Sequence, residues 1–206
     1  RSLAPARGFR YLWGVRARPL AALLIAWTVS LAGCRHKSKT PEEAYQRFSD
    51  AVRTGDGLAL FDALDQPTRW DLMTIQKAHR EAYDIVLSNY PEGPEREREK
   101  RRYEPEATAP SAREFFKTET APRMMPMLKG LVASDVKIER GAADNQAEAV
   151  LANGSRVPLA RGEDGGWGYA GLAKQSADDK NRAYHDLDVV RASAADYERA
   201  AARAGK

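Results

Sequence analysis

The chain has 206 residues, 43% of them hydrophobic and 30% charged, which suits one globular domain with appendages and excludes a disordered or collagen-like chain. Its 33 basic and 29 acidic residues leave a net charge of +4, but five arginines (Arg1, Arg7, Arg10, Arg16, Arg18) and no acid fall in residues 1–33. The remainder is close to neutral, so the charge gives no reason to expect a nucleic-acid partner.

Residues 1–18 are basic and free of carboxylates, and residues 20–32 (LAALLIAWTVSLA) are apolar. The small residues Ala32 and Gly33 then lead to Cys34, the only cysteine. This is the charged, apolar and small-residue order of a secretory signal. A transmembrane helix needs about 20 apolar residues, so a permanent span is not expected here. The absence of an adjacent arginine pair before the run argues against twin-arginine export. LAGC, residues 31–34, resembles the bacterial lipobox. That resemblance implies cleavage between Gly33 and Cys34, a diacylglyceryl thioether on Cys34, and attachment to a membrane through the lipid. Each buried lipid methylene contributes about 0.8 kcal/mol, so several acyl chains anchor durably. Arg35 follows the cysteine, in place of the aspartate that resembles an inner-membrane retention signal, which favours the outer membrane and a domain facing the periplasm. Residues 34–40 read as a short polar tether. With no second cysteine, the exported domain must be stable without disulfides.

Thr40-Pro41-Glu42-Glu43 opens a helix with a capping box, and Ala44, Tyr45, Phe48, Ala51 and Val52 share one face until Gly55 ends it. A second short helix carries Leu58, Phe61 and Leu64. A third is expected over 68–88, with Leu72, Ile75, His79, Ala82 and Val86 on one stripe. Residues 89–111 lose this pattern: four prolines surround EREREKRR, which reads as a solvated, charged insert holding at most a helical turn or two. A short helix follows at Phe115 and Phe116, and Pro122 and Pro126 bracket a buried turn or short helix at Met124 and Met125.

The period then changes to two. Val136 and Ile138 alternate with Lys137 and Glu139, Asn153-Gly154 predicts a type I′ hairpin, and Asp164-Gly165-Gly166 turns the chain into Trp167 and Tyr169. Four short antiparallel strands in a meander result. A final helix over about 177–203 has a thin, alanine-rich stripe and reads as loosely packed or exposed.

Helices followed by a meander ending RVPLARGEDGGWGYAGL (156–172) resemble the nuclear transport factor 2-like superfamily, especially its small bacterial lipoproteins. The opening TPEEAYQRFSDAVRTGD (40–56) shares that likeness. The resemblance spans 41–172 and implies a curved sheet wrapped around a long helix as a cone with an apolar pocket. Its members include SnoaL-like polyketide cyclases, ketosteroid isomerases and proteins with no chemistry, so the fold assigns no activity. The expected architecture is α+β: a signal helix within 1–33, a cone-like domain over 41–172 with the insert at 89–111, and a C-terminal helix within 173–206.

Enzymes of the cone family move protons with a pocket histidine or carboxylate. Of His36, His79 and His185, only His79 is placed for such work, with Asp84 or Asp62 as companion. A lone histidine on an apolar stripe is first of all a packed residue, so no catalytic residue is assigned. Tyr45, Trp70, Tyr83, Trp167 and Tyr169, with His79, are the candidate lining of a ligand pocket, although core packing explains the aromatics as well. The histidines lack metal-ligand spacing and no glycine motif cradles phosphate, so no metal or cofactor is expected. The expected function is a non-enzymatic envelope lipoprotein that binds a periplasmic protein or small apolar ligand. The alternative is an isomerase or hydrolase built on the same cone.

Overall fold

The computed structural model describes residues 37–204; Cys34 and the signal segment before it lie outside the described residues. Helix α1 (Pro41–Thr54) starts as its sequence directs. Thr40 is extended, and its hydroxyl accepts the Glu43 N–H at 3.2 Å. The Glu43 carboxylate returns to the Lys39 N–H, one residue earlier than in a standard capping box. Gly55 closes the helix in the left-handed region (φ +69), where a side chain would be strained.

Helix α2 (Gly57–Ala63) is capped by Asp56, whose carboxylate accepts the Leu58 and Ala59 N–H groups. Helix α3 (Gln66–Asn89) begins two residues before the expected Thr68, because Asp65 caps it and Pro67 occupies its first turn. Its 24 residues make a rod about 36 Å long.

Residues 94–107 form a 14-residue helix, α4 (Pro94–Ala107), where a mostly irregular insert was expected. Pro94 fits the first turn, and Arg98–Glu95 and Arg102–Glu99 pairs run along its surface. Tyr103 and Ala107 are buried, so the segment is part of the core despite its charge. From 112 to 128 the chain takes the helical alternative expected at Met124 and Met125: α5 (Ala112–Phe115) passes through a π-helical stretch, Phe116–Thr120, into α6 (Ala121–Leu128). Pro122 sits in the first turn of α6 and Pro126 inside it, so neither breaks the run.

The sheet is a four-stranded antiparallel meander: β1 (Val136–Arg140), β2 (Gln146–Leu151), β3 (Arg156–Arg161) and β4 (Trp167–Tyr169), in spatial order β1-β2-β3-β4. The β2–β3 turn differs from the expected type I′ form. The Gly154 N–H donates to the Leu151 carbonyl and the Leu151 N–H to Ser155, with Gly154 alone taking φ +82. This is a three-residue loop with a glycine bulge, in which Asn153 accepts the Ser155 N–H instead of adopting positive φ as half of a primed turn. The β3–β4 loop repeats the pattern around Gly165 (φ +79).

Two apolar clusters organise the fold. In the first, Ala147, Ala149, Leu151, Val157, Leu159, Trp167 and Tyr169 of the sheet meet Ala44, Tyr45, Phe48 and Val52 of α1, Leu60 and Phe61 of α2, and Phe116 and Met125. Phe48 stacks on Tyr169 with ring centroids 4.3 Å apart. The helix laid across the sheet is thus α1, whereas α3 makes its widest contacts with α4 and α7 (Ala173–Ala204).

The second cluster is the core of a three-helix bundle. Helices α3 and α7 run parallel: Asp71 meets Ser176 and Lys180, Glu81 meets Arg191, and Asn89 meets Glu198. Helix α4 runs antiparallel to both, with His79–Glu106 and Arg96–Leu87 contacts to α3 and Arg102–Asp186 and Tyr197–Glu95 contacts to α7. Ile75, Ala78, Ala82, Val86, Tyr103, Ala183, Leu187 and Val190 fill the interior. The terminal helix, expected to be loose or exposed, is therefore one of three structural staves. Its alanines permit close approach to α3 where larger side chains would hold the helices apart.

Candidate functional site

The six residues expected to share a pocket fall in three places. Tyr45, Trp167 and Tyr169 are buried in the first cluster. The Tyr45 hydroxyl accepts the Ala133 N–H at 2.9 Å and lies 3.2 Å from the Ala133 carbonyl, tying α1 to the segment before β1. His79 and Tyr83 lie on the α3–α4 seam of the bundle. Trp70 is half exposed on α3, near Met73. Four cavities lined by described residues include none of the six.

His79 has a carboxylate partner, but a different one from those expected. Its Nδ1 lies 2.7 Å from Glu106 Oε2, while Asp62 is held by Arg113 through bonds of 3.0 and 2.6 Å. The side chains beside His79 explain its place. Gln76 donates to the Glu106 and Ala109 carbonyls, and Arg80 to those of Ala107 and Ala109. The final carbonyls of a helix have no partner within it and carry partial negative charge. One face of α3 thus supplies the partners for the end of α4, and His79 belongs to that set. Among the described residues, no three His, Cys, Asp or Glu side chains are gathered to hold a metal ion.

A different constellation stands where the chain arrives from Cys34. Ser38 pairs with the free edge of β4, its carbonyl accepting the Trp167 N–H at 2.9 Å. One residue earlier, Lys37 forms an ion pair of 3.2 Å with Asp164 in the β3–β4 loop. Asp164 also faces Arg69 at 4.0 Å and accepts the Gly166 N–H. Burial alone would raise its carboxyl, but the Gly166 bond and the two cations outweigh that and hold it below the usual carboxylate range. Farther along the same edge, Asp65 donates its N–H to the Tyr169 carbonyl. A Cβ on Gly168 would come within 2.5 Å of Leu64 and Asp65 backbone atoms, so only glycine permits this approach. The expected tether of 34–40 is therefore a docked segment from Lys37 onward.

No family model, curated protein or solved structure matches the chain. Sequence reading missed the docking of Lys37 and Ser38, because a two-residue edge pairing leaves no periodic trace. It also missed the network in which Asp71 accepts from Ser176 (3.2 Å) and Lys180 (2.5 Å), since those partners lie 105 and 109 residues away.

Tyr103 is the other feature hidden in the charged stretch. It is 1% exposed, and its hydroxyl has no hydrogen-bond partner among the described residues. Burial pushes its phenol up to about 12 from an ordinary 10. A raised acid stabilises the fold fully below its unfolded value, and that contribution is lost as pH rises through the folded one. The loss attributable to Tyr103 should amount to about 2–3 kcal/mol between pH 10 and 12. Tyr103→Phe is expected to keep the fold at neutral pH and to flatten the fall in melting temperature over that window. Parallel melting profiles for the two proteins would show that Tyr103 does not control it.

Proposed function

We propose that the chain is a lipid-anchored lipoprotein of a bacterial envelope, a non-enzymatic module that holds residues 37–204 at the periplasmic side of a membrane to bind a partner or a small apolar ligand. The observation that carries this reading is the LAGC sequence at 31–34, after a basic start and an apolar run. No helix among the described residues is long and apolar enough to cross a membrane. In this reading the Cys34 lipid provides the attachment. Arg35 after the cysteine supports the outer membrane as its destination.

The non-enzymatic part of the reading is supported by the company His79 keeps. Its ring faces Glu106 at the end of α4, among Gln76 and Arg80, which serve the terminal carbonyls of that helix. For binding, the far end of the bundle offers a cleft of about 550 Å³ lined by Tyr90, Pro91, Tyr197, Ala200, Ala201 and Ala204. Tyr90 and Tyr197 meet edge to face there at 4.9 Å, giving it an aromatic wall.

The test is incorporation of a clickable fatty acid by cells that produce the chain. Label is expected on the native protein and none on Cys34→Ala, which should accumulate with residues 1–33 attached. Equal labelling of the two, or no label on either, would refute lipid attachment at Cys34.

A further inference from the structure

We infer that the β3–β4 loop and the docked segment 37–39 form a membrane-facing surface that rests against anionic phospholipid headgroups, with the end of the bundle at Tyr90 and Tyr197 turned away. This rests on the lipid-anchor reading of Cys34. Three peptide steps separate Cys34 from Lys37, a reach of at most about 11 Å even when fully extended. Lys37 and Ser38 are fixed to the domain by the Asp164 ion pair and the Trp167 hydrogen bond, so little slack remains for the domain to rise or turn over. The polar region of a bilayer is itself about 5–7 Å thick on each side. A lipid on Cys34 therefore holds the Gly162–Gly166 loop beside the headgroups.

The charges on this face agree with that placement. Lys37 and Lys39 are exposed on the docked segment, Arg161 is exposed at the start of the loop, and Arg69 stands behind Asp164. Arg35 lies in the short stretch between. Against them stand Glu163, Asp164 and Glu43, with Asp164 engaged by Lys37 and Arg69, and Glu43 by the Lys39 N–H. Exposed basic residues are drawn to a surface of negative potential.

The proposed orientation puts the far end of the bundle at the opposite pole. Gln66, the first residue of α3, accepts the Asp164 N–H at 3.1 Å, so the bundle starts beside the membrane-facing loop. Its other end, where Asn89 meets Glu198, lies a helix length of about 35 Å away. The apolar cleft at Tyr90 and Tyr197 is thereby presented to the periplasm, clear of the headgroups.

The experiment uses the full lipidated chain in vesicles of phosphatidylethanolamine and phosphatidylglycerol, with a nitroxide on Glu163→Cys or on Ser88→Cys and a nickel chelate carried on a lipid headgroup. Nickel should relax the label at 163 several-fold more strongly than the label at 88. A Lys37→Glu, Lys39→Glu variant should narrow that difference while still floating with the vesicles. Equal relaxation at the two sites, or stronger relaxation at 88, overturns the orientation although the anchor stands. A chain whose intact mass shows no lipid on Cys34, and which fails to float, overturns the anchor and the orientation together.

Discussion

Phe48→Ala is expected to cost about 3–5 kcal/mol of stability, the ordinary range for removing a buried phenylalanine. Phe48 is fully buried, and its ring stacks on Tyr169 at 4.3 Å. It joins the helix that crosses the sheet to the shortest strand, β4, whose outer edge receives Ser38, Leu64 and Asp65. Truncation leaves a cavity and removes an aromatic pair worth about 0.5–1.5 kcal/mol beyond its buried area. At about 2–4 °C per kcal/mol for a domain of this size, the melting temperature should fall by about 10 °C. Phe48→Leu should lose much less, because it keeps most of the volume. A drop of only a degree or two for Phe48→Ala would show that the α1–sheet contact does not hold the first cluster together.

Ending the chain after Leu172 is expected to be more damaging still. The deletion removes Ala183, Leu187, Val190 and Ala194 from the second cluster and uncovers Ile75, Ala82, Val86 and Tyr103. It also strips Asp71 of Ser176 and Lys180. Helices α3 and α4 would then present a continuous apolar face to water, a hazard for any monomeric domain. The expected product is aggregated, or is cut rapidly by protease within residues 66–107 while the native chain resists. A folded, monomeric and protease-resistant truncation would mean that α7 is an appendage after all. Leu187→Ala supplies the milder version, with an expected loss of about 2–5 kcal/mol read by chemical denaturation.

Local chemistry made some of this fold legible and left the rest dark. Helix α1 could be read almost residue by residue, because its cap, buried stripe and closing glycine all lie within residues 40–55. The strands were readable from period-two patterning and from glycines at the turns, although the hydrogen bonds placed Gly154 in a bulged loop. Helix α4 was hidden because ten charged neighbours mask one decisive side chain, Tyr103, whose burial depends on α3 and α7. Helix α7 was undervalued for a related reason: an alanine-rich stripe has weak amphipathicity but packs closely when its partner is equally small, as at Ala78 and Ala82. The partner of His79 arrives from α4, so Asp84 and Asp62 were the only companions visible before that helix was known. Alternation along β4 pointed Trp167 and Tyr169 inward, but it carries no information on whether the enclosed space is open. Here Phe48, Leu60 and Phe61 belong to the same packed cluster.

In the proposed arrangement only two residues, Arg35 and His36, separate a lipid on Cys34 from the docked Lys37. The most direct measurement is the intact mass of native protein taken from the membrane fraction. The expected species begins at Cys34 and exceeds the mass of residues 34–206 by a diacylglyceryl group, with any further acyl chain. A chain that retains residues 1–33, or one that begins at Cys34 with no added mass, would contradict it.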